Sequence, residues 1–176
     1  MDLPHRVRLT PLKMHYDERG WVSEIFRDEW GVTGPLCQWN VGFSQPNSLR
    51  GLHLHLKHED YFTTVKGDAV IGLCDVRPKS PTYRKSALIE LTDRQLAALT
   101  VPRGVLHAVY SPDASVHVYG ADCYYDPSDD LACRWDDPAL GIAWPCRDPI
   151  LNERDRSAGT LAELEATLRR MDVAFD

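Results

Sequence analysis

Residues 50–60 read RGLHLHLKHED, which places His53, His55 and His58 beside Glu59 and Asp60. Two chemistries suit such a stretch. In the first, His53 and His55, two apart on a strand, share a face. Glu59 follows, and PRGVLH (102–107) brings His107 in after a Pro-x-Gly turn. Three imidazoles and a carboxylate inside a barrel suit iron, manganese or zinc. In the second, one histidine is a base that takes a proton from carbon next to a carbonyl. It then needs a carboxylate behind the ring and a phenol to return a proton from the other side. Tyr119, Tyr124 and Tyr125 in HVYGADCYY and Asp155 in LNERDR are candidates. Spacing alone does not choose between the two.

The surrounding elements must be strands. Turn signals recur in DERG, SQPNS, VKGD, RPKSP, VPRG, SPDAS and YDPSDD. Between them lie runs rich in β-branched and aromatic residues: 21–26, 60–66, 69–76, 86–91, 98–102, 107–111 and 115–125. Many short strands with regular punctuation read as a sandwich or barrel. One helix is expected at the end, where Thr160 and Glu163 form a capping-box pattern and Leu161, Leu164, Leu168 and Met171 share a face. Residues 91–99, LTDRQLAAL, add a short turn of helix in this reading. Residues 126–149, rich in Pro and Asp and carrying two tryptophans, are expected to be an ordered loop region packed on the barrel.

A chain of 176 residues suits one domain with a real core. The net charge of −6 argues against a general nucleic-acid or membrane-surface binder. No apolar run reaches bilayer length, and the N-terminus has no apolar signal core. Five widely spaced cysteines without a CxxC motif fit reduced thiols in a cytoplasm rather than a disulfide framework or a zinc site.

Two family patterns bear on the histidines. The HxH, Glu59 and PxGxxH arrangement resembles the metal-binding cupins, although Glu59 lies one residue too far from Gly67 and no Asn follows His107 at the usual place. A far longer resemblance is to the dTDP-4-dehydrorhamnose 3,5-epimerase family. It is carried by DERGWVSEIF (17–26), QWNVGFS (38–44), LRGLH (49–53), DVRPKSPTY (75–83), VPRGVLHAVY (101–110), VYGADCYY (118–125), RWDDPALGIAWP (134–145) and PILNERDR (149–156). Eight stretches in order are highly specific. The resemblance implies an all-β fold over residues 1–176: a cupin-type double-stranded β-helix, or jelly roll, with an N-terminal strand extension and a C-terminal helix. It also implies a homodimer, no metal and no cofactor, and a nucleotide-diphosphate sugar as substrate.

By that resemblance His53 matches the catalytic base, Asp155 its paired carboxylate, Tyr119 the acid on the opposite face of the sugar, and His107 a second active-site histidine. Arg19, Glu24, Gln38 and Arg50 match positions that contact the nucleotide or its diphosphate, a task that suits the guanidinium fork. Tyr124 matches an aromatic that stacks on the base. Four departures alter the surroundings. His55 stands where the family has Gln, Asp60 where it has Lys, Ile71 where it has Asp, and Gly120 where Lys follows the tyrosine. Replacing an enolate-stabilising lysine by an acid reverses the local charge. The implied reaction is inversion at C3, C5 or both of a nucleotide-linked, dTDP-type 4-keto-6-deoxy sugar. Two alternatives stand beside it: a metal-dependent cupin enzyme using His53, His55, Glu59 and His107, and a weakly active nucleotide-sugar-binding relative.

Overall fold

The computed structural model describes residues 2–31 and 33–175. Its strands are β1 (Arg8–Pro11), β2 (Met14–Asp17), β3 (Gly20–Ser23), β4 (Gln38–Ser44), β5 (Ser48–His55), β6 (Asp60–Lys66), β7 (Asp68–Asp75), β8 (Ser86–Thr92), β9 (Ala97–Val101), β10 (Val105–Ser111), β11 (Ser115–Ala121) and β12 (Asp130–Ala132). They form one sheet in the order β1-β9-β6-β11-β4, a second in the order β12-β5-β10-β7-β8, and a separate β2–β3 hairpin. The paired strands run antiparallel. The expected all-β jelly roll is what the chain adopts.

Each sheet has an inner and an outer face because successive side chains alternate. At one end of the barrel, Ile71, Leu73, Ile89, Leu91, Leu99 and Val101 fill the space between the sheets. Leu49, Leu52 and Leu54 of β5 instead face outward, into a cluster with Leu161, Leu164 and Leu168. Those three leucines come from α2 (Leu161–Arg170), whose capping box of Thr160 and Glu163 is present as the sequence pattern requires. Each buried leucine contributes about 1.5–3 kcal/mol of transfer free energy, so the helix is held by this face rather than by its own propensity. Trp135 and Trp144 of the 126–149 segment meet edge to face and pack against the same cluster.

Leu49 and Leu52 share a face although they are three apart, which simple alternation forbids. The reason is a bulge. His107 pairs with His53 and Val109 with Arg50, so β5 carries one residue more than β10 across this step. Gly51 sits there with φ of 120°, and a Cβ would lie 2.6 Å from the Ala108 Cβ. A glycine is required at that position. The bulge turns Arg50, His53 and His55 to the same inner cavity.

Three expectations need correction. Residues 91–99 are not helical: Leu91 and Thr92 end β8, a tight turn follows, and Ala97 opens β9. The Asp93 carboxylate accepts from the Gly67 backbone N–H at 2.8 Å, and β9 is claimed by ladders to β1 and β6. Tertiary pairing overrides the helix propensity of Gln-Leu-Ala-Ala. The run 115–125 stops being a strand at Ala121, and the run 21–26 stops at Ser23.

Candidate active site

A cavity of about 500 Å³ opens between the sheets, with His53, His55 and His107 on one wall and Asp60 and Tyr119 on the other. The first wall is β5 and β10, the second β6 and β11. His53 Nε2 lies 2.7 Å from Asp155 Oδ1. Asp155 reaches it from α1 (Glu153–Arg156), whose first turn is fixed by the Asn152 side chain accepting from the Asp155 N–H. The other Asp155 oxygen accepts from the Gly51 N–H at 3.0 Å. The bulge glycine thus orients the carboxylate as well as the histidine. Burial pushes the Asp155 carboxyl upward, but the bonds from His53 and Gly51 outweigh it and hold the group below its ordinary value. An ionised Asp155 accepts Nε2–H and leaves Nδ1 of His53 as the basic nitrogen.

Asp60 faces the cavity. Its Oδ2 lies 3.1 Å from both His55 Nε2 and His107 Nε2. Its Oδ1 lies 3.6 Å from His58 Nε2, and His58 Nδ1 lies 2.6 Å from Asp129. Burial alone would raise the Asp60 carboxyl; His107, His55 and His58 reverse that and keep it well below the usual carboxylate range. Burial lowers His55 in spite of Asp60, whereas in His107 the pull of Asp60 overcomes burial and raises it. His58, also pushed down by burial, is raised to about 9 by Asp60 and Asp129.

The metal set expected from sequence does not assemble as written. His53 is engaged by Asp155, and Glu59 pairs with Arg6 at 3.1 Å. The carboxylate that joins His55 and His107 is Asp60, because β6 begins one residue after Glu59 and alternation turns Asp60 inward.

The expected substrate contacts divide into two groups. Arg50 and Gln38 line the cavity. Arg50 is braced by the Phe43 carbonyl at 2.8 Å and the Ser44 hydroxyl at 3.1 Å. Arg19 and Glu24 do not reach the cavity: Arg19 pairs with Asp17 beside the β2–β3 turn at 2.6 Å, and Glu24 pairs with Arg27. Tyr124 is 74% exposed and points away, and Tyr125 lines the cavity instead. Ile71, the departure from an aspartate, forms apolar wall. Sequence reasoning missed Phe62 and His117, which also line the cavity. Alternation from Asp60 and Tyr119 would have found both. It missed Asp130 and Arg154 as well, an ion pair at 2.5 Å whose meeting has no local signal.

His117 is 2% exposed, among the hydroxyls of Ser111, Ser115 and Thr64. Burial, aided by the charge of Arg50, lowers it to about 4. Between pH ~6.5 and ~4 the unfolded chain takes a proton at this site and the folded chain does not, so stability falls as pH falls. Urea unfolding at pH 7 and 4.5 should show His117→Gln losing about 2–3 kcal/mol less than the parent over that interval. Equal losses in the two proteins would refute the assignment.

Comparison with known proteins gives this geometry a context. The sequence model of the dTDP-4-dehydrorhamnose 3,5-epimerase family matches residues 2–163. A dTDP-4-dehydrorhamnose 3,5-epimerase of Sinorhizobium fredii is 33% identical over 177 residues, covering 95% of this chain and 91% of the relative. A dTDP-4-dehydro-6-deoxyglucose 3-epimerase of Streptomyces bikiniensis is 33% identical, covering 86% of this chain and 83% of the relative. Among solved structures, a 3'-monoepimerase of Streptomyces bikiniensis in complex with dTDP-quinovose superposes with a TM-score of 0.86 at 29% identity, covering 97% of this chain and 89% of its own. The histidine-lined cavity thus sits in a jelly roll shared along nearly its whole length with enzymes of one kind, and the chain belongs to the dTDP-4-dehydrorhamnose 3,5-epimerase family of isomerases.

Proposed function

We propose that the protein inverts C3, C5 or both of a dTDP-linked 4-keto-6-deoxy sugar. The observation that carries this reading is the His53–Asp155 pair on one wall of the cavity with the Tyr119 phenol on the facing wall. A 4-keto group acidifies the C–H bonds on both sides of it. His53 Nδ1 takes the proton, Asp155 stabilises the imidazolium that forms, and Tyr119 delivers a proton from the opposite side. His107 lies by the developing oxyanion. Arg50, Gln38, His55 and Asp60 contact the nucleotide sugar, and Tyr125 takes the stacking role expected of Tyr124. The reaction is redox-neutral, and the scheme calls on no cofactor.

Residues 1–176 act in this reading as one cupin-like domain, in a cytoplasmic homodimer. Apolar residues exposed on the β2–β3 hairpin (Tyr16, Trp21, Val22) and on the edge strand β4 (Trp39, Val41, Phe43) support the dimer. A hairpin laid on a partner's β4 would carry Arg19 and Glu24 toward the partner's cavity, which accounts for their distance from their own. Five free cysteines agree with a reducing compartment, and among the described residues no helix is long and apolar enough to cross a membrane.

Incubation with dTDP-4-keto-6-deoxyglucose in deuterated water tests the proposal. Deuterium should enter at C3, at C5 or at both, and the labelled position names the reaction. No exchange with this or related keto-sugars, with dTDP still bound, would reduce the protein to a binding relative and overturn the reading.

A further inference from the structure

Three side chains from three strands converge where the two sheets meet: His55 of β5, Asp60 of β6 and His107 of β10. Both Nε2 atoms stand 3.1 Å from the same oxygen, Asp60 Oδ2. One donor atom from each residue lies within 4.8 Å of the other two. The side chains are 13%, 12% and 16% exposed. His107 Nδ1 lies 3.3 Å from the Val105 carbonyl, an acceptor, so that nitrogen bears the proton. His55 Nδ1 is buried without a hydrogen-bond partner, 3.7 Å from Asp130 Oδ1, which is likewise unpartnered. A proton on His55 Nδ1 would face the Asp130 carboxylate. Both inner nitrogens converge on one carboxylate oxygen, which either a proton on Nε2 or a cation held among the three groups satisfies. Separations of about 3 Å are those of neighbouring ligands around an ion bound at about 2.1 Å.

The outer contact of His107 follows the pattern of metal centres, in which a ligating histidine gives its other N–H to a carbonyl or carboxylate. His58, locked to Asp129 at 2.6 Å, approaches the Asp60 oxygen that the other two rings leave free. His55, His58 and Asp129 also cluster, but the His55 and His58 rings stack at 3.9 Å and 27°, so their in-plane lone pairs do not meet.

We propose that His55, Asp60 and His107 form a two-histidine, one-carboxylate site for a divalent first-row transition ion, with its open positions toward the cavity that holds His53 and Tyr119. A divalent ion on one carboxylate leaves a net single positive charge in a cavity where Arg154 already pairs with Asp130. Beside a keto sugar that charge would stabilise an enolate oxygen. This role rests on the epimerase reading and would replace, in the ion-loaded protein, the direct contacts given above to His107, His55 and Asp60; the binding of the ion does not rest on that reading.

The test uses full-length protein purified without a metal-affinity tag, stripped with chelator and titrated with Co(II), with metal content measured by mass spectrometry. One equivalent per chain with visible d–d bands is expected. Asp60→Asn and His107→Asn, shown to be folded by circular dichroism, should bind at least about 100-fold more weakly. His53→Asn should bind like the parent. Less than a tenth of an equivalent at saturating Co(II), about the adventitious level, would overturn the site, as would unchanged binding in Asp60→Asn or its loss in His53→Asn. Intact Co(II) binding without C–H exchange would remove the epimerase reading alone. Chelator-insensitive exchange without Co(II) binding would remove the metal site alone.

Discussion

His53→Asn should abolish deuterium incorporation into a 4-keto-6-deoxy sugar, by at least about 10³-fold, while dTDP affinity stays within about threefold of the parent. Asparagine keeps much of the volume and can still bond to Asp155, but it has no nitrogen able to hold a proton taken from carbon. In the proposed reading nucleotide contacts fall to other groups, such as Arg50, which is braced by the Phe43 carbonyl and the Ser44 hydroxyl. Single-turnover exchange followed by NMR, with dTDP binding measured by calorimetry, separates the two quantities. Exchange at the parental rate would remove His53 as the base. A parallel loss of dTDP affinity would instead assign it to binding.

Asp155→Asn carries the second large effect, a fall of about 10²–10⁴-fold in exchange rate with KM little changed. The amide occupies the same place in α1 and can still meet the Gly51 N–H, which donates to the carboxylate at 3.0 Å. It lacks the charge that stabilises an imidazolium 2.7 Å away, and its NH₂ can force His53 into the wrong tautomer. Asp155→Ala should lose activity similarly and also stability, by about 1–3 kcal/mol, because the buried Gly51 N–H is left without its acceptor. Urea midpoints of the two variants distinguish the catalytic effect from the structural one. Activity within threefold of the parent in Asp155→Asn, less than about 1 kcal/mol of barrier, would rule out the carboxylate's role.

Much of the fold was legible because its signals are local. Alternating β-branched runs marked β6, β7 and β8 almost to the residue, and Thr160 with Glu163 marked the start of α2. The short strands β1, β2 and β12 were not legible, since they exist by pairing with distant partners rather than by their own composition. Residues 91–99 failed for the same reason, a weak helix preference overridden by the ladders of β9. The family pattern named His53, His107, Asp155, Tyr119, Gln38 and Arg50, all of which line the cavity. The site was not legible by direction: Tyr124 and Tyr125 are neighbours in sequence, and only the second faces the cavity.

By itself the sequence determined an all-β chain with a capped C-terminal helix and a histidine-rich strand next to acids. Matching motifs in order singled out His53, Asp155 and Tyr119. The family pattern also paired Asp155 with His53, but only the tertiary structure showed how they meet and which acid joins the other histidines. Asp155 lies 102 residues from His53 along the chain and meets it because α1 docks under β5. Asp60 rather than Glu59 joins His55 and His107, because the register of β6 turns one carboxylate inward and its neighbour outward. The bulge at Gly51 sets Arg50, His53 and His55 on one face where plain alternation would have divided them. Register, bulge and docking are pairings between distant segments, and a one-residue difference in any of them would have built a different site from the same letters.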